Sequence, residues 1–253
     1  MRIFEIIFSP TGGTQKCADI FAAAFGKEVE LIDLADFSYD FTATDISNED
    51  VCIIAAPAFG GRIPDIAATR LKLIKGNGAK AILIAVYGNR EFDDCLVELQ
   101  DIATENGFIP VAGVGTIAEH SLIRKFGAGR PDASDIEELN TFASLIIEKI
   151  NDNRTRPLSL PGNRPYKVFP GSSVRPLTND SCTKCKLCAW NCPVEAISED
   201  KPNLTDNEKC ISCMRCISIC PNQARYLSPE IIQMFTEKLS AVATERKQNR
   251  LFL

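Results

Sequence analysis

Eight of the eleven cysteines fall in two runs, Cys182, Cys185, Cys188, Cys192 and Cys210, Cys213, Cys216, Cys220. Each is spaced C-x2-C-x2-C-x3-C and closed by a proline, Pro193 or Pro221, and the second repeats the first 28 positions later. Gaps of two residues let three thiolates curl round one corner of an iron-sulfur cubane, whereas the wider gap and the proline carry the fourth away. Zinc is the plainer alternative, but four-thiolate zinc modules usually part their pairs by a longer loop, which a third cysteine after two residues does not fit. A disulfide framework needs an oxidising compartment, and the opening MRIFEIIFSPTGG has no cleavable export pattern.

With both prolines in place, the two runs resemble those of the bacterial two-cluster ferredoxins. The resemblance implies two [4Fe-4S] clusters with crossed ligation. Cys182, Cys185, Cys188 and Cys220 would hold one, and Cys210, Cys213, Cys216 and Cys192 the other. About fifty residues around the clusters cannot bury an ordinary core, so this part is expected to depend on metal for its fold.

The elements that position such a centre lie upstream. Residues 2–8, RIFEIIF, read as a strand, Ser9-Pro10-Thr11-Gly12-Gly13-Thr14 as a loop, and QKCADIFAAAF as a helix. Hydroxyls and glycines at a helix N-terminus suit a phosphate. No lysine follows the glycines as in a Walker loop, and G-x-G-x-x-G is missing, which leaves a mononucleotide. The loop resembles the phosphate loop of flavodoxins, and by that resemblance Ser9, Thr11, Gly12, Gly13 and Thr14 hold the phosphate of FMN.

Further apolar runs at 28–34, 51–57, 79–88 and 108–118 alternate with helical patterns at about 12–25, 63–75, 91–106 and 132–151. Alternation of this kind predicts an α/β fold: a doubly wound, five-stranded parallel sheet in the flavodoxin-like order 2-1-3-4-5. Ligands of such sheets sit outside the carboxyl ends of the strands. The loops after strands 3 and 4, Pro57-Ala58-Phe59-Gly60 and Tyr87-Gly88-Asn89-Arg90, resemble the flavin-flanking loops of flavodoxins. Phe59 is the expected stacking ring and Gly88, Asn89 and Arg90 the lining of the pyrimidine edge, while Tyr87 reads equally as the end of its strand, with Phe92 the alternative aromatic. His120, the only histidine, follows strand 5 and reads as a surface-loop residue bonded to its own backbone. Cys17, Cys52 and Cys95 read as small core residues.

The chain divides into a flavodoxin-like unit over 1–151, a proline-rich linker over 152–180, a small α+β ferredoxin unit over 181–227, and a C-terminal helix over 228–253. The linker's basic residues Arg154, Arg156, Arg164, Lys167 and Arg175 face the phosphate edge, a partner or solvent. Ala196-Ile197-Ser198 and Ala224-Arg225-Tyr226, equivalent in the repeat, are expected as short strands. Formal net charge is −5, with no basic-aromatic patch and no apolar stretch of spanning length, so neither nucleic acid nor a membrane span is expected and the cytoplasm is the expected compartment.

Taken whole, the chain resembles the flavodoxin-ferredoxin fusion proteins of anaerobic bacteria. That resemblance implies an iron-sulfur flavoprotein of electron transfer, passing single electrons between two [4Fe-4S] clusters and FMN, with redox proteins or a small-molecule acceptor as partners. The alternative is a ferredoxin-type carrier or partner-binding protein on a flavin-free scaffold.

Overall fold

The computed structural model describes residues 1–152 and 157–253; Arg154 and Arg156 lie outside the described residues. The first strand, β1 (Ile3–Ile7), is buried along its whole length. It is followed by α1 (Gly13–Ala24), β2 (Val29–Asp33), β3 (Val51–Pro57), α2 (Asp65–Leu71), β4 (Lys80–Tyr87), α3 (Cys95–Glu105), β5 (Ile109–Ile117) and α4 (Ala133–Asn151). The strands pair in parallel in the order β2-β1-β3-β4-β5. This is the flavodoxin-like sheet that the alternating pattern predicts.

Near-continuous apolar strands need cover on both faces, and two helix layers supply it. On one face Phe21 of α1 and Leu139, Ala143 and Ile146 of α4 pack on Ile3, Ile7, Ile53 and Ile84. Across the sheet, Leu71 of α2 and Leu96, Leu99 and Ile102 of α3 pack on Ile6, Ile54 and Leu83. Fully burying each such side chain contributes about 1.5–3 kcal/mol. A 3-10 turn, Phe41–Ala43, stands between β2 and β3, and Phe41 and Ile46 fill that part of the core.

The remaining elements are β6 (Leu177–Thr178), α5 (Leu187–Trp190), α6 (Arg215–Ser218), β7 (Arg225–Tyr226), α7 (Pro229–Ala243) and β8 (Arg250–Phe252). Three findings depart from expectation: the C-terminal helix expected over 228–253 stops at Ala243, and two more concern the strands. The sheet has six strands, because β8 adds antiparallel to β5, with Val114 opposite Leu251. In addition, residues 196–198 form no strand, and β7 pairs instead with β6, Leu177 opposite Tyr226. Ala196 N–H donates to Cys192 Sγ at 3.2 Å and its carbonyl accepts from Asp206 N at 2.7 Å, as Ala224 does with Cys220 Sγ and Asn179 N; what the first copy lacks is a paired segment such as Leu177–Thr178.

The proline-rich segment is a strap rather than a solvated spacer. Leu160 is buried in the core under α3. Asp94, wholly buried, accepts from Asn163 N and Lys167 N at 2.8 and 2.6 Å, and these donors outweigh its burial and hold its carboxyl below the usual range. Asp101 takes Arg164 and the Tyr166 hydroxyl. Arg62 forks onto Glu98 at 2.7 and 2.6 Å, donates to Lys167 O at 2.8 Å, and stacks on Tyr166 at 4.6 Å.

Ser228 caps α7, accepting from Ile231 N at 3.4 Å, with Pro229 in the first turn. Leu239 and Ala243 then pack on Ile123 and Phe126, beyond β5. Between the layers, Arg70 donates to Leu34 O at 2.7 Å and Pro193 O at 2.8 Å, and Arg215 meets Asp33 at 3.5 Å. These contacts seat the cysteine-bearing region against the end of β2. Among the described residues no helix is long and apolar enough to cross a membrane.

Candidate functional site

The 28-residue repeat is carried into the backbone. Left-handed φ values occur at Lys184 and Ser212 (56° and 58°), Lys186 and Met214 (64° each), and Glu195 and Gln223 (50° each). Each pair is 28 positions apart. Side chains disfavour this conformation, and a run of residues alternating through it turns successive N–H groups to one side, making an anion-binding concavity. Ala196 N and Ala224 N each donate to the sulfur four residues before, Cys192 or Cys220, at 3.2 Å.

The thiols gather into two pockets. One is lined by Cys182, Cys185, Cys188 and Cys220 with Pro202 and Arg225. Its counterpart is lined by Cys192, Cys210, Cys213 and Cys216 with Ile197, Met214 and Arg215. In each, three cysteines of one run meet the fourth of the other. No three His, Cys, Asp or Glu side chains among the described residues converge on a single-ion position. Arg225 and Arg215 both carry a buried Nε without a partner, a donor that anionic sulfur would satisfy.

A larger cavity, about 420 Å³, opens at the carboxyl ends of β1, β3, β4 and β5. Its floor comes from the first loop at Pro10, Thr11, Gly13 and Thr14. Gly12 (φ 87°) begins α1 without a side-chain cap, and no acidic residue occupies the first turn, which leaves the positive end of the dipole for an anion. One side is the turn Pro57-Ala58-Phe59-Gly60, and the other is Tyr87, Gly88, Arg90 and His120. The roof is supplied from outside the sheet: Phe169 and Gly171–Ser173 of the strap, Ile211–Cys213 of the second cysteine run, and Phe235, Lys238 and Leu239 of α7. Cys213 thus borders both the cavity and the second thiol pocket.

Ten of the thirteen expected flavin-contact residues line this cavity: Thr11, Gly13, Thr14, Pro57, Ala58, Phe59, Gly60, Tyr87, Gly88 and Arg90. Ser9, Gly12 and Asn89 do not. Ser9 Oγ accepts from Gln15 N at 2.9 Å and so braces the helix start from behind. Asn89 is buried and turned away from the cavity, its amide spent on the C-terminal tail. Tyr87 ends β4 and packs edge-on against Phe92, with centroids 5.5 Å apart, while Phe92 is wholly in the core under Arg250. Phe169 was missed: it lies in a segment without periodicity, and its only signal was an aromatic before Gly171-Ser172-Ser173.

His120 does bond to its own backbone, its Nδ1 accepting from Leu122 N and Ile123 N at 3.2 Å each. It lies against Gly88 in the cavity wall, however, rather than on an open surface loop. Burial first, and then the nearby Arg90, lower its pKa to about 4, so it stays neutral at physiological pH. Burial pushes the thiols of Cys17 and Cys52 up to about 12, and all three N-terminal cysteines are core residues.

Residues 177–221 match the family model described as the 4Fe-4S dicluster domain. A comparison with curated proteins finds no match. Among solved structures, a Streptococcus pneumonia flavodoxin is similar at 21% identity, over 58% of this chain and 99% of its own, with a TM-score of 0.41. Flavodoxin 2 of Bacillus cereus is similar at 19% identity, over 59% and 99%, with a TM-score of 0.44. The rubredoxin oxygen:oxidoreductase of Desulfovibrio gigas is similar at 20%, over 59% of this chain and 35% of its own, with a TM-score of 0.42. By its strand order and by the dicluster match, the chain joins a flavodoxin-like α/β fold to a 4Fe-4S ferredoxin-type region, and is an iron-sulfur electron-transfer protein.

Proposed function

We propose that this chain is an iron-sulfur flavoprotein with two [4Fe-4S] clusters and one FMN, built as a flavin-binding unit over 1–151, a proline-rich linker over 152–180, a two-cluster unit over 181–227 and a C-terminal segment over 228–253. The observation that carries the reading is the position of Cys213, one side of which borders the flavin-loop cavity and the other the second thiol pocket. Bound there, the clusters supply one-electron exchange and the flavin exchanges one or two electrons.

The chain's own residues do the rest. Cys182, Cys185, Cys188 and Cys220 hold the cluster farther from the cavity, and Cys192, Cys210, Cys213 and Cys216 the nearer one. Arg225 and Arg215 offer their unpartnered Nε donors to these sites. Thr11, Gly13 and Thr14 take the flavin phosphate, Phe59 and Phe169 offer aromatic faces, and Gly88, Arg90 and neutral His120 line the far wall. The roof of strap, cysteine loop and α7 would cover part of the ring. The expected partners are a low-potential donor at the outer pocket and either a second redox protein or a small acceptor.

The test is the content of iron, acid-labile sulfide, zinc and released flavin in protein purified without oxygen. About eight iron, eight sulfide and one FMN per chain are expected. Zinc without sulfide overturns the cluster assignment, and iron without flavin leaves a ferredoxin-type carrier on an empty scaffold.

A further inference from the structure

The loop that follows β4 reaches the cavity with Gly88 and Arg90, yet the residue between them faces the opposite way. Asn89 is 4% exposed, with a left-handed φ of 65°. Its Nδ2 donates to Ala243 O at 2.6 Å and Glu245 O at 2.8 Å, and its Oδ1 accepts from Lys247 N at 3.1 Å. Three bonds therefore run from the cavity loop to a segment more than 150 residues later. Asparagine tolerates this backbone region better than most residues, and the tail pins the side chain that sets it.

That segment is itself fixed. Arg130, buried, donates to Lys247 O at 2.9 Å and forks onto Asp135. Asn249 donates to Asp135 Oδ1 at 3.0 Å and Glu138 Oε2 at 2.6 Å, while its Oδ1 accepts from Thr116 Oγ1 at 2.8 Å. Arg246 bonds Asp132, the cap of α4, at 2.7 and 3.0 Å. Beyond these contacts β8 pairs with β5.

We infer that Asn89 is a positioning residue of the flavin site and that residues 243–249 are its back wall: the tail holds the Gly88–Arg90 loop in the shape that meets the ring. This inference rests on the FMN reading above. The tail also fastens the end of α7, whose Phe235, Lys238 and Leu239 form part of the cavity roof. The same few bonds thereby coordinate wall and roof.

The experiment is titration of FMN into flavin-free full-length protein, followed by fluorescence quenching and by the visible circular dichroism of the bound flavin. Asn89→Gly keeps the left-handed backbone and removes the three bonds to the tail together with a longer one from Arg130 Nη1 at 3.5 Å. Lys247→Pro removes a single bond from the tail side, at a residue that does not line the cavity. Both variants are expected to weaken FMN about tenfold, to alter the flavin dichroism, and to retain wild-type iron and sulfide. In the double variant the losses should not add, because both act through one contact. An unchanged dissociation constant and unchanged dichroism in either variant overturn the inference, and Lys247→Pro decides the matter if Asn89→Gly does not fold. Failure of the wild type to bind FMN would instead refute the flavin reading itself, a result visible before any variant is made.

Discussion

Replacing Glu5 by glutamine should stabilise the protein at pH 8 and leave it nearly unchanged at pH 4.5. Glu5 lies at the centre of β1, 4% exposed, and its Oε1 has no partner. Its Oε2 accepts from Gln15 Nε2 at 3.0 Å. Burial first, and then the charge of Asp19, raise its pKa from 4.5 to about 7, with the Gln15 bond opposing them. The folded state therefore binds this proton more tightly than the unfolded chain. Stability from this group is fully present below about pH 4.5 and is lost as the pH rises through about 7. At about 1.4 kcal/mol for each pKa unit, the loss is roughly 3 kcal/mol. Glutamine matches the shape and never ionises, so the variant should gain about that much at pH 8. For a unit of this size, 1 kcal/mol moves the melting temperature by about 2–4 °C, which predicts a rise of roughly 6–12 °C. The assay is thermal unfolding of wild type and variant at matched cofactor content, between pH 4.5 and 8. Taking the difference cancels other titrations, including His120, whose lowered pKa works in the opposite sense. An equal difference at both ends of the range would refute the reasoning.

Three further outcomes follow from the geometry. Cys192→Ala should empty the pocket it shares with Cys210, Cys213 and Cys216, so that iron falls by about half; Mössbauer or EPR spectra showing loss of the other cluster would contradict crossed ligation. Gly60→Ala drives a methyl into the Phe169 ring at a φ of 61°, and should cost about 1–3 kcal/mol in unfolding and displace Phe169, read by a changed visible circular dichroism of bound flavin. Arg62→Ala abandons buried Glu98 and frees Lys167 O, at a cost of roughly 3 kcal/mol, and limited proteolysis should then cut within the strap first.

Local patterns announced much of this molecule. The two cysteine runs were legible because metal ligation imposes a fixed spacing, and the repeat doubled the signal. The first loop was legible as a turn entering a helix, because hydroxyls and glycines favour that position. Asn89 was not: placed in a flavin-flanking loop, it looked like a direct contact, and its real partners are backbone groups at 243, 245 and 247, which carry no sequence mark. Residues 250–252 gave no strand signal either, since three residues show no periodicity and only the open edge of β5 makes them a strand. The expected strand at 196–198 failed for a related reason. The repeat copies the backbone around the sulfurs, but only the second copy has a Leu177–Thr178 segment beside it.

Because β8 completes the sheet from the far end of the sequence, the cysteine-bearing region is, in topological terms, an insertion between a fold and its own last strand. A ribosome making this protein releases β5 and the Gly88 loop long before residues 243–252 exist. Until then the edge of β5 is unpaired and Asn89 lacks its three partners. Synthesis in this order would let the parallel sheet form first, the cysteine-bearing region pack against it, and the edge strand close afterwards. A nascent chain stalled before residue 243 would display an open sheet edge, the kind of surface that recruits chaperones or a second unfinished copy.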